Sequence, residues 1–233
     1  MNKLLAVFLI IAIYLIITYA YFYDFLGQKK LVPPPHETKI LVGTNPNNPS
    51  IKYAALGDSL TAGVGVDNYH DSYPYLVAQK LSSGQNVQLL NFSQSGATLK
   101  DVLTYQLPQT LSAEPDLITL LIGVNDIHNF KSSTEFEKNY TRIVKDLKKT
   151  NAKIYLLSIP YLGSSQITYF PYNLIWDFKT QQFNTVIKKI SSDTNTAYID
   201  LYYLTKPAGF YSADQFHPSD KGYKLWSDTI NVN

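Results

Sequence analysis

The sequence predicts an α/β domain, a parallel sheet with helices on both faces, behind an N-terminal transmembrane segment. Three observations carry this expectation. The run from Leu4 to Tyr23, "LLAVFLIIAIYLIITYAYFY", holds no charge. Beyond residue 50, short apolar stretches alternate with longer amphipathic ones. The apolar stretches are hydrophobic throughout rather than every second residue, as strands covered on both faces must be.

About 20 apolar residues at ~1.5 Å rise cross a hydrocarbon core of ~30 Å. Tyr19, Tyr21, Phe22 and Tyr23 cluster at the far end, where an aromatic belt belongs. Lys3 and the terminal amine form a short positive flank that favours an inside start. Thr18 and Ala20, with Tyr19 between them, make a poor cleavage site, and the run is long for a signal peptide. An uncleaved anchor over 1–25 is therefore expected, with the rest of the chain extracytoplasmic; cleavage would give a secreted domain. Residues 26–50 include "VPPPHE" and "GTNPNNPS" and read as a semi-stiff linker holding the domain off the membrane. Within it only "KILV" has the character of a short edge strand.

The globular domain, 51–233, opens with the strand "IKYAALG" (51–57) and a helix over 73–82. "NVQLLNF" (86–92) precedes a helix over 98–107, and "DLITLLIG" (116–123) precedes one from about Thr134 to Lys149. That helix sets Phe136, Tyr140, Ile143, Val144 and Leu147 on one stripe. "KIYLLSIP" (153–160) leads to a helix near Leu174 to Ile190, and "TAYIDLY" (196–202) is the fifth strand. "SDKGYKLWSDTI" (219–230) closes the chain as a helix.

Bulk composition excludes several functions. Twenty basic residues nearly match eighteen acidic ones, which gives no electrostatic footprint for a nucleic acid. The absence of cysteine rules out disulfides, a thiol nucleophile and thiolate-bound metal. His36, His70, His128 and His217 are scattered without a helical pair, so neither a metal nor another cofactor is expected.

In a parallel sheet, ligands sit beyond the carboxyl ends of the strands. Four loops there stand out: "GDSL" at 57–60, "NFSQSGAT" around Gly96, "GVND" at 123–126, and "ADQFHPSDKGY" with Asp214 and His217. Singly, each has an ordinary structural reading as a cap, a turn or a surface residue. Together they hold the groups acyl transfer needs. A serine hydroxyl requires an imidazole to take its proton, and the imidazole requires a carboxylate on its other nitrogen. Ser59, His217 and Asp214 supply these, the last two from one turn, with Pro218 starting the next helix. The Ser59 and Gly96 amides, both at helix starts, and the Asn125 side chain would bind the oxyanion. Glycine at 96 would let the backbone approach closely.

With "GDSL", Gly96, "GVND" and "DQFHP" in this order, the chain from about Ile51 to Ile230 resembles the SGNH hydrolases, the GDSL esterase/lipase family. The resemblance implies a flavodoxin-like α/β/α sandwich with a five-stranded parallel sheet. It also implies Ser59 as nucleophile, His217 as base and acid, Asp214 as orienting carboxylate, and Ser59, Gly96 and Asn125 as oxyanion donors. An α/β-hydrolase would need G-x-S-x-G and several strands before the serine, and a dinucleotide fold would need G-x-G-x-x-G. Neither pattern is present.

For substrate contacts the aromatics of 161–176 (Tyr161, Tyr169, Phe170, Tyr172 and Trp176) are candidates, as are Tyr69, His70 and Tyr73. A tethered domain suggests envelope esters: acetylated glycans, lysophospholipids or other lipid esters. A tethered binding protein of little turnover and an acyltransferase are the competing readings of the same residues.

Overall fold

The computed structural model describes residues 3–28, 31–34, 37–43, 50–165, 167–205 and 208–232. Lys29, Lys30, Pro35, His36 and residues 44–49 of the expected linker lie outside the described residues. Six strands form one sheet: β1 (Lys39–Val42), β2 (Ser50–Gly57), β3 (Asn86–Asn91), β4 (Leu117–Leu121), β5 (Lys153–Leu157) and β6 (Ala197–Ile199). Their order is β1-β3-β2-β4-β5-β6. From β2 onward every pairing is parallel, with Ala54 opposite Leu90 and Ile118, and Leu120 opposite Leu156. The sheet is thus the expected five parallel strands plus one. The sixth, "KILV", runs antiparallel along β3 with Lys39 opposite Leu90. Part of the 26–50 stretch is therefore built into the sheet, where it covers an edge of open backbone groups.

The helices are α1 (Lys3–Gln28), α2 (Ser59–Ala62), α3 (Tyr73–Leu81), α4 (Leu99–Asp101), α5 (Leu107–Ala113), α6 (Val124–His128), α7 (Ser133–Leu147), α8 (Tyr172–Thr194) and α9 (Asp220–Thr229). The stripe on α7 is buried at all five predicted positions, so its apolar spacing does face the sheet. Ser132 and Ser219 cap α7 and α9 by accepting from the amides of Glu135 and Gly222.

The helix expected over 98–107 instead runs to Ala113 and is interrupted. A wide turn, Val102–Gln106, separates α4 from α5, and the Leu107 amide reaches back to the Val102 carbonyl. Pro108, which has no N–H to donate, lies two residues past the end of this turn. At the end of the turn Gln106 points inward. Its amide accepts from Gly57 N at 2.9 Å and donates to Gly57 O at 2.8 Å, tying the end of β2 to the neighbouring layer.

α1 is long and apolar enough to cross a membrane. The sequence suggested a spacer keeping the domain away from it. Instead the second half of α1 packs on the domain, with Phe22 buried between aromatic side chains. Phe22 offers one apolar ring that lipid and a protein groove can both accept, and the groove supplies three aromatic neighbours.

Candidate active site

β2 is the strand at which the chain order reverses, with β3 on one side and β4 on the other. The loops after these three strands therefore meet beyond one end of the sheet. Gly57 ends β2, and a Cβ there would lie 2.2 Å from Thr61 Oγ1 and 2.4 Å from Leu121 O. Only a glycine allows the chain to turn so sharply against β4. Asp58 then caps α2, its carboxylate accepting from Leu60 N at 3.0 Å, and Ser59 is the first helical residue. The cap is thus the aspartate, and Ser59 is left free of that duty.

Ser59 Oγ lies 2.9 Å from His217 Nε2. On the other side of the ring, His217 Nδ1 is 2.5 Å from Asp214 Oδ2. An ionised carboxylate only accepts, so Nδ1 carries the proton and Nε2 has a lone pair for the serine hydroxyl. Asp214 is fully engaged: its Oδ1 also accepts from Ser212 Oγ and from the amides of Phe216 and His217. Burial alone would raise its pKa, but the His217 hydrogen bond and charge, with these amides, outweigh burial and hold it below the usual carboxylate range.

The three-residue spacing of Asp214 and His217 does not come from a helical turn. Gln215 has φ +59°, and the segment is a loop closed by a bridge between Tyr211 and Pro218. Pro218 precedes the Ser219 cap rather than opening the helix. Gly65, considered from sequence only as part of a rejected dinucleotide loop, lets this loop come close: φ is +109°, and a Cβ would meet Pro218 O at 2.2 Å.

Ser59, Gly96, Asn125 and His217 line one cavity of about 300 Å³. Asn125 Nδ2 donates to Ala97 O at 2.9 Å, which fixes the amide while its second hydrogen is unspent in this bond. Gly96 lies in a turn three residues before α4, not at the helix start. A Cβ there would meet nothing within 4 Å, so the glycine answers a φ of +81° rather than a close approach. Asp126 joins the two loops by accepting from Leu99 N at 3.1 Å.

His128 lines the same cavity and was not foreseen as part of it. It follows Asn125 by three residues on α6, a spacing that shares a helix face. Burial, and secondly the charge of His217, push its pKa down to about 3, so it stays neutral beside the relay. Of the candidate substrate aromatics, Trp176 packs behind the cavity wall, 4.7 Å from Phe22 and 4.5 Å from His128, and the others do not line this cavity. Tyr69 is buried and its hydroxyl accepts from Asn91 Nδ2 at 2.7 Å. Tyr73 is buried against Thr61, and His70 stacks on Tyr75. Tyr161 packs beside Tyr202 and borders a separate narrow gap behind Leu60 and Pro218. Phe170 is exposed, and Tyr172 rests on Tyr19 of α1.

Asp58 is fully buried, with Oδ2 lacking a partner. Burial raises its pKa to about 7, the Leu60 amide opposes this, and nearby Asp126, itself raised by burial to about 6, adds to it. A carboxyl with a folded pKa above its unfolded value of ~4 holds its proton longer in the folded state, so its contribution to stability falls as pH rises from ~4 to ~7. Thermal unfolding of Asp58→Asn across this range should show a smaller loss of Tm with rising pH than wild type. An unchanged slope would mean that Asp58 is not protonated in the folded protein.

Fold and site together define a hydrolase of carboxylic esters built on a three-layer α/β/α sandwich. The chain belongs to the GDSL-like lipase/acylhydrolase family, whose profile matches residues 55–225. It is 27% identical over 209 residues to the spore germination lipase LipC of Bacillus licheniformis, covering 78% of this chain and 96% of that one. It is 24% identical over 170 residues to esterase TesA of Pseudomonas aeruginosa, covering 70% and 78%. Among solved structures, the lipase/acylhydrolase of Enterococcus faecalis superposes with a TM-score of 0.64 at 24% identity, over 77% of this chain and 93% of that one. The acetylxylan esterase Axe2 of Geobacillus stearothermophilus gives 0.63 at 20%, over 77% and 92%. At these identities the superpositions establish the fold.

Proposed function

We propose that the protein hydrolyses carboxylic esters through an acyl-enzyme on Ser59, in a domain over 51–233 that α1 tethers on the extracytoplasmic side of a membrane. The observation that carries this reading is the unbroken relay from Ser59 Oγ to His217 to Asp214, at 2.9 and 2.5 Å. Ser59 attacks the ester carbonyl as its proton passes to His217 Nε2, and the new imidazolium is steadied by Asp214. Ser59 N, Gly96 N and Asn125 Nδ2 receive the negative charge on the carbonyl oxygen. His217 returns the proton to the departing alcohol. Water then attacks the acyl-serine, giving one proton to His217 and finally freeing the acid and the Ser59 hydroxyl.

The mechanism requires an activated hydroxyl, and a fluorophosphonate tests for one directly. The intact protein should be phosphonylated once, and peptide mass mapping should place the group on Ser59. No labelling, or labelling at another residue, would remove the nucleophile from this account.

A further inference from the structure

The cavity over Ser59 is closed on one side by the N-terminal helix. Phe22, Tyr23 and Leu26 of α1, with Leu31 just beyond it, face Ser59, Asn125 and His217 across that space. Phe22 is 2% exposed, and its ring centre lies 5.4 Å from that of His128, 4.7 Å from Trp176 and 5.7 Å from Phe216. Phe216 immediately precedes His217. A continuous aromatic surface therefore joins the apolar helix to the histidine of the relay.

Contact with the domain extends further down α1. Tyr14 Oη donates to Phe170 O at 2.8 Å, and Tyr172 Oη donates to Leu15 O at 3.2 Å. The ring of Tyr19 lies 6.2 Å from that of Phe130, and the ring of Tyr21 lies 5.4 Å from that of Tyr169. Phe130, Tyr169 and Phe170 are nevertheless exposed, forming an aromatic collar around a helix that is itself apolar on every side. Such rings are apolar enough to face lipid.

Depth follows from helix geometry. From Tyr14 to Leu26 is about 18 Å at ~1.5 Å per residue. With the run from Leu4 to Tyr23 in the hydrocarbon, the Tyr14 end of the collar lies about 14 Å below Tyr23, near the bilayer midplane, and the cavity-lining residues sit at the headgroup edge of the outer leaflet. Ester carbonyls of acyl lipids lie at that same boundary. A volume of about 300 Å³ is at the lower end for ligand pockets, enough for the ester and a stretch of acyl chain along Phe22, Tyr23 and Leu26.

We infer that α1 is part of the substrate site: Phe22, Tyr23 and Leu26 form the wall that receives the acyl chain, and the cleft takes its ester from a membrane amphiphile. This inference rests on the ester-hydrolase reading of Ser59. The helix is then a determinant of specificity as well as a tether.

The test uses the full chain reconstituted in phosphatidylcholine vesicles, with a soluble chromogenic acetate and a vesicle-borne fluorogenic long-chain ester as substrates. Leu26→Trp, which fills the wall, should lower the ratio of long-chain to acetate kcat/KM at least tenfold. Leu26→Ala, which opens it without adding bulk, should move the preferred acyl length upward in a series of vesicle-borne esters. Wild-type ratios and wild-type length preference in both variants would overturn the inference. So would a wild-type protein that cleaves the acetate but not the vesicle-borne ester, and that result would leave the Ser59 reading standing. A wild-type protein that cleaves neither ester overturns both.

Discussion

Ser59→Ala should lower kcat for ester hydrolysis by as much as ~10⁶-fold, with Tm unchanged to within a few degrees. The hydroxyl has one described hydrogen-bond partner, His217 Nε2, and removing it leaves the His217–Asp214 hydrogen bond in place. The fold therefore has little to lose while the chemistry loses its attacking atom. His217→Ala should cost a similar factor, and the double variant should be scarcely slower than either single one, because the two residues act as a unit. Single-turnover measurements on a chromogenic ester would check this. Multiplying losses would mean that the two side chains contribute independently, and full turnover by Ser59→Ala would place the reaction elsewhere.

Asp214→Asn should cost about 10⁴ in kcat with almost no change in shape. The asparagine oxygen can still accept from Ser212 Oγ and from the Phe216 and His217 amides, the three donors that meet Asp214 Oδ1. The amide nitrogen, however, replaces the oxygen that faces His217 Nδ1. It donates where the carboxylate accepted, so the imidazole proton moves to Nε2 and the lone pair that should receive the serine proton is gone. The same change removes the negative charge opposite the imidazolium. Proton NMR should show the loss of the downfield Nδ1–H resonance together with the loss of turnover. Retained activity would mean that Asp214 only shapes the loop.

The grouping of Ser59, His217 and Asp214 was legible in the sequence because these residues are chemically distinctive and lie in loops that the parallel sheet sends to one end. The central strands were legible for a different reason: both of their faces are covered, so their residues are apolar without alternation, as in the fully buried "LITLL" of β4. The interruption between α4 and α5 was not, because the wide turn answers a tertiary demand, the pairing of Gln106 with both backbone groups of Gly57. The role of Gly65 escaped notice because its neighbour, Pro218, is distant in sequence. Phe22 was hidden more completely. Within an unbroken apolar run no pattern separates a ring facing lipid from a ring facing a cleft, and only the aromatic surface of His128, Trp176 and Phe216 makes the distinction. The aromatics of 161–176 were ambiguous for the same physical reason, since a tyrosine packs a loop as readily as it lines a pocket.

The serine and the histidine it needs are 158 residues apart, at opposite ends of the domain. Of the proposed pair, a ribosome makes the nucleophile first and the base almost last, after all six described strands and every described helix but α9. The emerging chain is thus chemically inert while its strands are still finding their neighbours. On the proposed mechanism hydrolytic power arrives in one step, when the 214–217 loop meets Ser59, and it reports that the domain between them has folded.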